Sequence, residues 1–150
     1  MGVRTELVRG FTLLEALLVI ALLGALVGLA IPFYQSFQVT SQVDGATEDL
    51  VAALRSAQAR AMASESFQPF GVHLESRRFV LFRGATYVPG DPANEVTTVA
   101  PTVTLQPGGA TDVVFGVTRG ATGAASTVAV RSSNKLRNIT INELGVVSAL

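Results

Sequence analysis

The sequence predicts an α+β protein: a long N-terminal α-helix, membrane-spanning in its first half and amphipathic in its second, packed on a C-terminal antiparallel β-sheet or small β-sandwich. Two observations predict it. Residues 11–31 form an apolar run of 21 residues carrying one charge, Glu15, and one hydroxyl, Thr12. As a helix that run would be roughly 30 Å long, about the thickness of a bilayer's hydrocarbon core. Beyond residue 64 the helical period stops, and short runs alternating at period two take over, separated by Gly- and Pro-rich turns. A helix followed only by short strands places the helix over an antiparallel sheet.

Residues 1–10 are a short polar leader with Arg4, Glu6 and Arg9. The two arginines ahead of the apolar run favour a cytoplasmic N-terminus. Three fates are open to residues 11–32. The segment can be a permanent single-span anchor. It can be a secretory signal peptide, with Gly28-Leu29-Ala30 as a small-x-small cleavage site, although the run is long for that role and Glu15 sits at its entrance. Or a leader can be cut at Gly10, leaving the apolar helix in the mature chain. Glu15 in lipid calls for a partner, or else snorkels to the headgroups.

Gly24, Gly28 and Pro32 recur every four residues. Pro32 cannot donate to the carbonyl of Gly28, so a kink or local melting is expected there. Gly24 and Gly28 also admit the close approach of another helix, though small residues are ordinary in membrane helices.

Residues 33–150 form the predicted globular domain. Val39, Val43, Ala46, Leu50, Leu54, Ala57 and Ala61 follow a spacing of three and four, with Gln42, Asp44, Glu48 and Arg55 off that stripe. This is the pattern of a helix laid against a core. Ser64-Glu65-Ser66 and Pro69 end it, making residues 11–64 one helix of roughly 80 Å if unbroken. Strands are expected at 70–74 and 79–82, joined by the turn 75–78. Further strands fall at 87–88, 96–99, 103–105, 113–117, 127–130, 139–141 and 146–147. Pro89-Gly90-Asp91-Pro92, Gly108-Gly109 and residues 119–123 punctuate them.

Composition excludes several chemistries. The chain has no cysteine, hence no disulfide, thiolate metal site or thiol nucleophile. Its formal charge is zero, so no global field recruits nucleic acid or acidic lipid. The lone histidine, His73, has no cluster of ligands around it in sequence and reads as a sheet residue. No phosphate loop, GxSxG elbow or HExxH occurs, and the carboxylates are scattered, so neither an enzyme, a cofactor nor a metal is expected. Asn138-Ile139-Thr140 matches a glycosylation sequon and is discounted as a short match. Arg131, Lys135 and Arg137 cluster around Ser132-Ser133-Asn134, with Arg119 as a further candidate. The bland reading is a solvated hairpin tip; the sharper one is a phosphate contact.

Gly10-Phe11-Thr12-Leu13-Leu14-Glu15, the apolar run and Pro32 resemble the class III signal of type IV pilins and type II secretion pseudopilins. The resemblance covers residues 10–32. It implies cleavage by a prepilin peptidase between Gly10 and Phe11, and N-methylation of Phe11. It further implies that Glu15 pairs with the N-terminus of a neighbouring subunit during assembly. A buried charge without its partner is strongly penalised, which would select the docking register. Gly24, Gly28 and Pro32 would serve the packing and stretching of the helix as subunits leave the membrane. The implied partners are other pilin or pseudopilin subunits, the peptidase, an inner-membrane assembly platform with its ATPase, and membrane lipid. The implied location is the bacterial inner membrane, then a periplasmic pseudopilus or a cell-surface pilus.

A second resemblance covers most of residues 50–147. Leu54-Arg55-Ser56-Ala57-Gln58-Ala59-Arg60-Ala61-Met62-Ala63 is similar to the helix end of H-type minor pseudopilins and related minor pilins. So are Val113-Val114-Phe115 and Arg137-Asn138-Ile139-Thr140-Ile141 with Gly145-Val146-Val147. It implies a minor, tip-proximal or initiating subunit, as does the lack of the disulfide-bounded loop seen in many major pilins. Some minor pilins of this group bind DNA through a basic C-terminal region in natural transformation. Arg131, Lys135 and Arg137 are the corresponding candidates here, but residues 145–150 lack the arginine-bearing tail of such proteins.

Overall fold

A computed structural model describes residues 11–150, with the side chains of 29–33 and 35 excepted. The leader and Gly10 lie outside the described residues. Helix α1 runs Leu13–Met62. Residues up to Phe37 form one unit and Gln38–Leu150 a second, compact one.

In the second unit the expected stripe is the buried one from Val43 onward, and Val39 is half-buried. Val43, Leu50, Leu54, Ala57 and Ala61 are wholly inaccessible, and Ala46 nearly so. Thr47 joins them, its hydroxyl donating to the carbonyl of Val43 at 2.7 Å. A buried hydroxyl is tolerated because the helix itself supplies the acceptor. Beyond Met62 the chain turns through a short 3-10 segment, Glu65–Phe67, with Ser64, Ser66 and Phe67 in the left-handed region.

Eight strands follow: β1 Phe70–Leu74, β2 Arg78–Arg83, β3 Glu95–Thr98, β4 Thr104–Pro107, β5 Asp112–Phe115, β6 Ser126–Arg131, β7 Leu136–Ile141 and β8 Val147–Ala149. They form two four-stranded antiparallel sheets, ordered β3-β2-β1-β5 and β4-β6-β7-β8. The chain crosses between them at β4, where Leu105 N–H donates to the carbonyl of Ser76 at 2.9 Å. One core joins the helix stripe to both sheets. Phe70, Val72, Leu74, Phe79, Leu81, Val113 and Phe115 come from the first sheet; Leu105, Val128, Val130, Ile139, Ile141 and Val147 come from the second. Burying each such side chain contributes about 1.5–3 kcal/mol, so the core holds the helix and sheets together.

Residues 87–88 are the exception among the expected strands: Tyr87 and Val88 are loop. β2 ends before Gly84, whose φ of 117° turns the chain away, and Pro89 has no N–H to give a ladder. Tyr87 instead stacks on His73, centroids 4.0 Å apart and planes 11° from parallel, and meets Phe82 edge-on. Val80 and Phe82 point away from the main core yet are buried. The first sheet therefore has a second covered face. Gly71 makes it possible: a Cβ there would stand 2.6 Å from Cζ of Phe82 and 2.9 Å from the carbonyl of Val113.

Candidate functional site

The described end of α1 begins at a cap. Thr12 precedes the helix, and its Oγ1 accepts a hydrogen bond from the N–H of Glu15 at 3.2 Å. This satisfies one of the donors a helix start leaves unpaired. Thr12 and Glu15 stand in the Thr-x-x-Glu spacing of a capping box, a pattern the sequence carries in plain view and which gives Thr12 a role of its own. Among the described residues no donor or cation meets the Glu15 carboxylate, which stays exposed in the first turn. There it complements the positive end of the helix dipole and remains open to a partner's charge.

From Leu13 to Val27 every large apolar side chain is exposed, from Leu13 at 81% to Val19 at 46%. Tyr34 and Phe37 are exposed as well. Unlike the stripe at 43–61, this apolar surface runs all the way round the helix. An aqueous surface of that kind is unfavourable by roughly 25 cal/mol per Å² until something apolar covers it. Gly24 and Gly28 have nothing within 4 Å of where a Cβ would stand. Among the described residues no contact requires them to be glycine, and the notch they leave is open to another helix. Helix α1 continues through Gly24, Gly28 and Pro32 without a break. The local melting expected there is therefore not a feature of this structure.

Among the described residues no helix is long and apolar enough to cross a membrane. The described apolar side chains of the run span 11–27, and the sequence carries the run on to Ile31.

The basic cluster has a different setting. Lys135 Nζ donates to Asp44 Oδ2 at 2.6 Å and Arg137 Nε to Asp44 Oδ1 at 3.2 Å. Two of the three cations thus converge on one carboxylate of α1. The Lys135 ammonium beside it holds the Asp44 carboxyl below its ordinary value, with Arg137 adding to the effect and desolvation opposing it. Thr102 and Gln42 hydrogen-bond next to this point on the helix. Arg131 reaches only Gln106, at 3.5 Å. It lines a shallow cavity of about 490 Å³ with Ser132, Ser133, Asn134 and Lys135 at the β6–β7 turn. Arg119 does not join them. Its neighbour Thr118 bonds the carbonyl of Ala61, 17 residues along α1 from Asp44 and so about 25 Å away.

His73 lies in β1, as expected. Its Nδ1 is 2.5 Å from Asp112 Oδ1 and its Nε2 is 3.8 Å from Glu75 Oε1. With Tyr87 on its face, His73 ties the 84–94 loop to the sheet. Among the described residues no group of three or more side chains is placed to hold a metal.

No family model matches the sequence, and no curated protein does. Among solved structures, the chain is similar to the minor pseudopilin EpsH from the type 2 secretion system of Vibrio cholerae. The TM-score is 0.56 at 17% identity, over 73% of this chain and 96% of that one. The likeness establishes the fold: a pseudopilin-like α+β fold, with a long helix on antiparallel sheets.

Proposed function

We propose that the chain is a minor pilin or pseudopilin, a structural subunit without catalytic activity, assembled through its N-terminal helix into a type IV pilus or type II secretion pseudopilus. One observation carries this reading. A single helix is buried by its own sheets along 43–61 and left bare on every side along 13–27. The bare half needs an apolar solvent, first membrane lipid and then the same segment of sister subunits. The Gly10-Phe11-Thr12-Leu13-Leu14-Glu15 motif and the pseudopilin-like fold support the same reading.

In this scheme prepilin peptidase cuts after Gly10 and the new N-terminus at Phe11 is methylated. The ammonium at Phe11 and the carboxylate of Glu15 have opposite charge. In a bundle of bare helices each would be costly alone, so the pair of one subunit's Phe11 amine with the next subunit's Glu15 selects one axial register. Gly24 and Gly28 set how closely the helices approach. The platform protein and its ATPase supply the work of moving the helix out of the inner membrane.

The test is incorporation. Glu15→Ala is expected to leave 38–150 folded, by circular dichroism, and to remove the subunit from the purified filament fraction. Normal incorporation would overturn the charge-pair step. DNA uptake is the weaker reading, because Asp44 neutralises the ammonium of Lys135 and engages Arg137, leaving Arg131 as the one cation of the cluster without a carboxylate partner among the described residues.

A further inference from the structure

We infer that Tyr34, together with Phe37, is the anchor that fixes the depth of the apolar helix at the far membrane face, lying among the lipid headgroups. The inference rests on the membrane-spanning reading above and adds to it the residues that position the span. Charge is the first argument. Between Glu15 and Asp44 the chain has no charged residue, and the next cation after Arg9 is Arg55. The entrance of the span has Arg4 and Arg9 before cleavage and the Phe11 ammonium after it; its exit has no lysine or arginine to snorkel. Residues 16–43 thus offer no charged side chain to set the depth of the exit.

Aromatic residues are what that position offers. Three of the chain's ten, Phe33, Tyr34 and Phe37, fall within five residues directly after Pro32, and none lies between Thr12 and Pro32. Tyr34 and Phe37 are 68% and 66% exposed, with no ring contact among the described residues. Three residues apart, they share one side of the helix. Tyr34 is 13 residues beyond the middle of the run at residue 21, hence about 20 Å along the axis, against about 15 Å for half the hydrocarbon core. Its Cα–Cβ bond tilts back toward the N-terminus, which returns the ring toward the bilayer. A ring with an apolar body and a hydroxyl tip is stable at that boundary.

The chain has no tryptophan, so one introduced at a chosen position reports depth without background. The full-length protein carrying Tyr34→Trp or Leu22→Trp is reconstituted into phosphatidylcholine–phosphatidylglycerol vesicles whose lipids are brominated either near the headgroup or near the end of the acyl chains. Tryptophan at 34 is expected to be quenched most by the shallow bromines and at 22 by the deep ones, a separation of about 18 Å. Adding Tyr34→Ala and Phe37→Ala to the Leu22→Trp chain should abolish its preference for the deep bromines. If position 22 is quenched by deep bromines while position 34 escapes both, the anchor is overturned and the span stands. The anchor also falls if the alanine pair leaves the depth profile of position 22 unchanged. If both positions escape quenching, the span falls with the anchor.

Discussion

Replacing Asp44 with asparagine removes the charge on which Lys135 and Arg137 converge, from contacts of 2.6 and 3.2 Å, while keeping the shape of the side chain. Both pairs are partly exposed: Asp44 retains 39% of its side-chain surface, Lys135 20% and Arg137 44%. Solvent therefore screens them, and each is worth about 0.5 kcal/mol or a little more. The two together come to about 1 kcal/mol, since Lys135 is the better covered and loses its carboxylate partner. In urea unfolding of residues 38–150 that is a midpoint lower by somewhat less than about 1 M, with the slope unchanged. The pH dependence is the sharper part. The Lys135 and Arg137 contacts lower the folded-state pKa of Asp44 from 3.8. The stabilisation is therefore complete above the unfolded value and is lost as pH falls through the folded one. The gap between the native chain and Asp44→Asn should narrow as pH falls below the unfolded value of 3.8, and narrow in high salt. Equal midpoints at neutral pH, or a gap that persists unchanged in acid, would refute the clamp.

Gly71→Ala drives a methyl into the ring of Phe82 and the carbonyl of Val113, neither of which has room to retreat. It should cost about 2 kcal/mol, lowering the Tm of residues 38–150 by about 8 °C, with no dependence on pH. At about 150 mM salt the domain 38–150 is expected not to retard duplex DNA in a gel. Asp44→Ala, which releases Lys135 and Arg137, should then strengthen whatever binding is measured at low salt; a wild-type affinity lost on replacing Arg131, Lys135 and Arg137 by alanine would restore the DNA-uptake reading.

What the sequence showed depended on how local the cause was. The stripe from Val43 to Ala61 and the pairing-competent runs of β1, β2 and β6 are local periodicities, and the structure repeats them almost residue for residue, whereas β7 begins at Leu136, three residues before the expected run 139–141. Phe79-Val80-Leu81-Phe82 already had the unbroken apolar character of a strand covered on both faces, but what covers the second face is set elsewhere. Tyr87 does part of it from a loop, after Gly84 has turned the chain out of β2. The partners of the charged side chains were out of reach for the same reason. Asp44 is 91 and 93 residues from Lys135 and Arg137, and His73 is 39 from Asp112. Only the register of the sheets and their docking on α1 bring those groups together. Thr12 and Glu15, by contrast, are three residues apart, and their cap is readable from spacing alone.

The account as a whole turns on whether the apolar helix stays in the working molecule. Intact mass of the chain produced together with its prepilin peptidase measures that directly. The expected species begins at Phe11, lacks residues 1–10 and carries one added methyl group. A mature form that begins after Ala30, with residues 1–30 removed, would contradict it and leave an exported β-rich domain in its place.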